Sequence, residues 1–261
     1  MRCRIAPSLL CWLVLTCPAP AQDSPAHEPI SGYAFMEPAT RELQDDDFLN
    51  PAFFLVEEGL ALWNADWPAA SGQDRSCRAC HGAPESLRGV AARYPVSDPD
   101  GGGMVNLELR INREIAERLG AAPLPYESQE LLALTALVGY QSRGMPMRLD
   151  LDETARAWAE RGREIFETRR GQLNLSCRNC HQDHWGEKLR GDVISQGHVN
   201  AFPIFRLTWD EVGSRHRMFT WCMEAVRAEP HGYGSEAYLA LETYLVLRGQ
   251  GLPVETPGVR R

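Results

Sequence analysis

A duplicated five-residue motif constrains this chain more than any other feature. CRACH occupies residues 77–81 and CRNCH residues 177–181. Each follows a serine, Ser76 or Ser176, and each precedes a Leu-Arg-Gly, at Leu87 to Gly89 and Leu189 to Gly191. A second related pair lies downstream: YESQELLALTALVGYQSRG from Tyr126 and YGSEAYLALETYLVLRGQG from Tyr233. Leu131, Leu134, Leu137 and Val138 fall on one helical face, as do Tyr238, Leu241, Tyr244 and Leu245, which is the spacing of a core-facing helix. Each segment opens near a serine suited to an N-cap and closes near a glycine. FFLVEEGLALWNADW precedes the first motif and DETARAWAERGREIFETRR the second. Each half therefore reads as leading helix, CxxCH, long loop and closing helix, over residues 45–147 and 150–250.

The opening MRCRIAPSLLCWLVLTCPAPAQ has Arg2 and Arg4, an apolar run from Leu9 to Thr16, and Ala19 and Ala21 at a small-residue cleavage position. It reads as a signal peptide over residues 1–21, directing the chain to the periplasm. No segment is long and apolar enough to span a bilayer. Residues 22–44 and 251–261 read as an N-terminal extended arm and a C-terminal tail. Cleavage removes three of the eight cysteines, leaving Cys77, Cys80, Cys177, Cys180 and Cys222. It also removes two arginines, taking the formal charge from −8 to −10, which disfavours nucleic acid and anionic membrane. An exported chain normally oxidises its thiols, and five cannot all pair. An odd cysteine pairs between molecules, reacts or binds something.

CxxCH attaches a c-type haem. Two thiols three positions apart reach the two vinyl groups on one porphyrin edge, and the adjacent histidine ligates iron. Cys77, Cys80 and His81 make one such site; Cys177, Cys180 and His181 make the other. The competing readings are two disulfides with incidental histidines, or zinc; zinc needs four ligands per site, and the first half has no further cysteine. Two copies in a repeated helical frame favour haem. The expected fold is all-α: duplicated class I cytochrome c-like domains with long loops.

Cys222 lies between the second motif and the closing helix, where the far side of a class I haem is lined. A thiolate there would donate electron density to iron and lower its potential; the plainer reading is a buried, inert cysteine. Around it RLTWDEVGSRHRMFTWCMEAVRAEP supplies Arg206, Arg215, Arg217 and Arg227, cations suited to a small oxyanion.

The stretch GQLNLSCRNCHQDHWGEKLRGDVISQGHVNAFPIFRLTWDEVGSRHRMFTWCMEAVRAEP, with the closing helix after it, strongly resembles the SoxA family. The resemblance implies a catalytic haem subunit that pairs with a SoxX-like monohaem cytochrome c. Together they join thiosulfate to a cysteine of a SoxYZ-like carrier protein, and the electrons leave through haem. It implies that Cys177, Cys180 and His181 hold the C-terminal haem, and that Cys222 is its other ligand, modified to a persulfide. The arginine-rich segment around Cys222 gives the further expectation that Arg217, Arg227 or Arg215 holds thiosulfate beside it. Two-haem members have a distal cysteine for the first haem in the segment matching LRINREIAERL, where this chain has none; the nearest match is Glu114. One-haem members keep a disulfide in place of the first haem. Two covalently attached haems are expected here, with Met104, Met145, Met147, Glu114 or no side chain at the first iron's sixth position. The alternative functions are a diheme electron carrier and a thiosulfate dehydrogenase forming tetrathionate.

Overall fold

The computed structural model describes residues 28–68 and 75–261; the signal segment expected over 1–21 lies outside them. Helix α1 (Pro38–Asp45) leads into the first half, made of α2 (Phe53–Asn64), the motif helix α3 (Cys77–His81), α4 (Leu107–Glu114) and α5 (Gln129–Tyr140). The second half has α6 (Glu153–Glu167), the motif helix α7 (Cys177–His181), α8 (Arg215–Ala225) and α9 (Glu236–Arg248). Ser128 and Ser235 cap α5 and α9, accepting from the backbone N–H of Leu131 and Tyr238, as expected of serines at those positions.

The fold is predominantly helical but not purely α. Two short hairpins pair β1 (Val96–Ser97) with β2 (Met104–Val105) and β3 (Lys188–Leu189) with β4 (Asp192–Val193). A three-stranded sheet has the order β6 (Glu211–Gly213), β5 (Ile204–Arg206), β7 (Gly258–Arg260). These strands are two or three residues long, too short for an alternation pattern to show in sequence. The last strand draws the C-terminal segment into the core: Val259 is fully buried, and β7 runs parallel to β5.

The duplication is physical. Leading and closing helices cross in both halves, α2 on α5 and α6 on α9, and each crossing is closed by a glycine. A Cβ on Gly59 would meet the Ala133 carbonyl oxygen at 2.3 Å, and one on Gly162 the Ala240 carbonyl oxygen at 2.0 Å. The helix backbones touch where no side chain fits. Gly162→Ala must push α6 off α9, a loss of about 1–3 kcal/mol typical of overpacking; urea denaturation followed by circular dichroism measures it.

The halves interlock. Met104, from the first half, packs in the second half's core with Phe166, Phe219 and Tyr238. Val212, from the second, packs in the first half's core with Leu55 and Trp63. Between them lies a buried polar cluster. Glu242, fully buried, receives hydrogen bonds from Arg215 Nη1 (2.5 Å), His216 Nε2 (3.0 Å) and Asn106 Nδ2 (3.0 Å). His216 Nδ1 accepts from the Gly234 N–H, so the imidazole proton sits on Nε2 and points at Glu242. Asn106 also donates to the Tyr126 hydroxyl. Glu108 completes the cluster; its Oε2 and the Arg215 Nε have no hydrogen-bond partner among the described residues, and both residues line one small cavity with Thr135 and Phe202.

The two carboxyls titrate apart. Burial pushes Glu108 up to about 7, with the Glu242 charge adding and Arg215 and His216 opposing. Burial acts on Glu242 too, but Arg215, His216 and Asn106 outweigh it and hold that carboxyl at about 2. Between the ordinary glutamate range and about 7, native Glu108 keeps a proton that the unfolded chain has lost. Its contribution to stability is therefore present at low pH and declines as pH rises through that window. Glu108→Gln should flatten this decline, read as the pH dependence of the urea midpoint from pH 5 to 8.

Candidate functional site

Helix α7 opens at Ser176, whose backbone N–H and hydroxyl both donate to Asn179 Oδ1. That closes the first turn and sets Cys177 and Cys180 on one face, three residues apart. Both are half-buried free thiols. His181 is oriented by its own loop: Nδ1 donates to the Ser195 carbonyl at 2.9 Å, leaving Nε2 as the free donor atom, the usual arrangement for a metal-bound histidine. Burial holds its pKa below the ordinary value, with the Ser195 hydrogen bond opposing. The loop passes so close that a Cβ at Gly197, φ +74°, would lie 2.7 Å from the ring's Cγ. These are residues that fit a c-type haem: two unpaired thiols, and an imidazole with a fixed tautomer.

Cys222 is on α8, half-buried and free, and faces the same motif. Burial pushes its thiol up to about 12; Cys177 and Cys180 add to that, and Arg206 opposes it. The four arginines of this segment have different surroundings. Arg215 is bonded to buried Glu242 with only 12% of its side chain exposed. Arg217 pairs with Glu211 and lies over the Trp209 ring, 4.7 Å from its centroid. Arg227 is exposed and donates to Gln172 Oε1. Arg206, on β5, is the one whose charge reaches the Cys222 sulfur. The orienting carbonyl of Ser195 was not legible in sequence, since any residue supplies one; Gly197 was the visible trace of it.

The first motif is built less completely. Cys77 and Cys80 are free thiols on α3, and burial pushes Cys77 up to about 11, with Cys80 and Glu114 adding. His81 is exposed, 5.7 Å from the Trp63 ring between centroids, and no hydrogen bond to its ring is found among the described residues. The three methionine candidates are placed elsewhere. Met104 lies in the second half's core; Met145 and Met147 pack with Ala92, Leu252 and Val254. Glu114 is near the motif but paired with Arg110 at 2.7 Å. The thiols fit haem attachment; the side chains around them mark no sixth ligand.

A family model for the SoxA/TsdA cytochrome c domain matches this chain twice, at residues 58–147 and 161–254. The chain belongs to the SoxA family. Among the SoxA proteins it resembles is the L-cysteine S-thiosulfotransferase subunit SoxA of Pseudaminobacter salicylatoxidans, 39% identical over 95% of this chain and 86% of the relative. That of Paracoccus pantotrophus is 39% identical over 88% of this chain and 78% of the relative. A crystal structure of SoxXA from P. pantotrophus superposes with a TM-score of 0.84, covering 89% of this chain and 87% of that one. The SoxA matches are enzyme subunits, and membership carries a role in thiosulfate oxidation by the Sox pathway. The two matched segments account for the repeat and support haem-binding capacity in each half. No helix among the described residues is long and apolar enough to cross a membrane.

Proposed function

We propose that this chain is the periplasmic subunit that oxidatively joins thiosulfate to a cysteine of a SoxYZ-like carrier, working with a SoxX-like monohaem cytochrome c. The observation that carries this reading is the placement of one free cysteine, Cys222, opposite the Cys177/Cys180/His181 motif with an arginine beside it. Similarity to SoxA and to the SoxXA structure supports the partner and the compartment.

The overall step balances simply. A carrier thiol and a thiosulfate dianion form one sulfur–sulfur bond, giving a cysteine S-thiosulfonate, and release one proton and two electrons. Cys177, Cys180 and His181 would hold a c-type haem, which would supply the one-electron acceptor chemistry for the two electrons released. Cys222, as thiol or persulfide, presents the sulfur at which the bond exchange takes place. Exposed Arg227 contributes positive potential along the approach for a dianion, whereas Arg217 is held by Glu211. Arg215, bonded to Glu242, holds the N-terminal turn of α8 and thereby Cys222. Two haems, the second motif's and one on Cys77, Cys80 and His81, complete the proposed holoprotein.

The test is reconstitution of the complex with partner cytochrome, carrier, thiosulfate and an electron acceptor. Acceptor reduction should require the carrier, and the carrier's mass should rise by the elements of thiosulfate. Reduction without carrier, with tetrathionate as product, would make the protein a thiosulfate dehydrogenase.

A further inference from the structure

Arg206, unlike Arg215 and Arg217, has no ion-paired carboxylate among the described residues. It sits on β5, in register with Glu211 on one side and Arg260 on the other, so its backbone is fixed by strands on both edges. Yet Glu211 pairs with Arg217 and Arg260 with Glu255. No ion pair to Arg206 is found among the described residues, although the side chain is half-buried and burial holds its pKa below the ordinary value. Its stabilisation comes from rings: the guanidinium carbon lies 4.3 Å from the centroid of Trp221 and 5.4 Å from that of Trp209. Nε donates to Thr208 Oγ1 at 3.0 Å, and Nη1 makes a long contact, 3.9 Å, to the Met218 sulfur. No partner for Nη2 is found among the described residues.

An arginine half out of water, clamped by indoles, with no carboxylate in contact and with Asp192, which pairs with Arg261, acting on it only at longer range, is costly unless an anion arrives. Stacking leaves the edge of the guanidinium plane available, and that edge matches two oxygens of a tetrahedral oxyanion. Trp221, which holds it, is the residue next to Cys222 and is 41% exposed, so solutes reach this place. The nearby cations Arg215 and Arg217 are already neutralised.

We infer that Arg206 is the substrate-binding arginine of this site: it receives the sulfonate oxygens of thiosulfate, with Trp209 and Trp221 fixing the guanidinium plane, and so directs the terminal sulfur towards Cys222. This rests on the thiosulfate reading above, but its test does not need turnover. Equilibrium dialysis of labelled thiosulfate against the oxidised holo-complex, without carrier, should show saturable binding. Arg206→Gln should weaken it by about tenfold or more, as loss of a charge-assisted contact does. Arg206→Lys, which keeps the charge but not the fork, should fall between. Unchanged haem absorbance in both variants shows that the fold is kept. In steady state Arg206→Gln should raise the KM for thiosulfate and leave the KM for carrier unchanged. Equal binding by wild type and Arg206→Gln, or no saturable binding by wild type, overturns the assignment. Binding that depends on Arg206 in a protein that shows no carrier-dependent turnover leaves Arg206 standing and removes the transferase reading instead.

Discussion

Cys222→Ala should abolish carrier-dependent thiosulfate turnover, by about 10⁴-fold or more, the range seen when a covalent reaction centre is deleted. Haem content should not change, because Cys177 and Cys180 are the proposed attachment thiols. On the proposed reading Cys222 would also be a haem ligand, so loss of activity alone does not separate a reacting sulfur from a tuning one. Cys222→Met does. It would keep a sulfur at that position for a haem held by the second motif and should raise that haem's potential, but a thioether can neither carry a persulfide nor exchange. Loss of turnover in both variants, with a raised potential in Cys222→Met, supports the reacting sulfur. Turnover in Cys222→Met would reduce Cys222 to a ligand. Thiosulfate binding in dialysis should survive in either variant, since that contact is assigned to Arg206.

The second large effect is on folding. Glu242→Ala should cost about 3–5 kcal/mol, the range for removing one partner of a buried ion pair. The carboxylate is fully buried and satisfies three donors, Arg215, His216 and Asn106. Without it the Arg215 guanidinium loses the carboxylate bonded to it and keeps only the unbonded Glu108 nearby, and the two halves lose the bond between α9 and Asn106. Urea denaturation with circular dichroism reads the loss. Replacing the pair together, Glu242→Leu with Arg215→Met, should recover part of it, because no charge is then stranded. A loss below about 1 kcal/mol for Glu242→Ala, the size of an exposed pair, would mean that water reaches the cluster.

Much of this protein is legible in one dimension, for definable reasons. A CxxCH motif is contiguous, so its chemistry needs no folding to be read. The helices around it repeat at the 3.6-residue period, and the capping serines Ser128 and Ser235 act within one turn. The odd cysteine follows from counting. Local physics therefore suffices for a duplicated helical cytochrome with a distinctive second site.

What remained was non-local. The short strands β5, β6 and β7 carry no periodic signal, and the β5–β7 pairing joins residues some fifty positions apart, Ile204 with Gly258. Four arginines near Cys222 look alike as letters; only packing neutralises Arg215 with Glu242 and leaves Arg206 against two indoles. The Asn106–Glu242 bond spans 136 residues, and its partners carry no motif because burial, not composition, makes the bond strong. The sequence alone determined which atoms can hold a haem and which cysteine is left over. The tertiary structure decided which arginine faces that cysteine, because a cation's role is set by the charges and dielectric around it, and these come from distant parts of the chain.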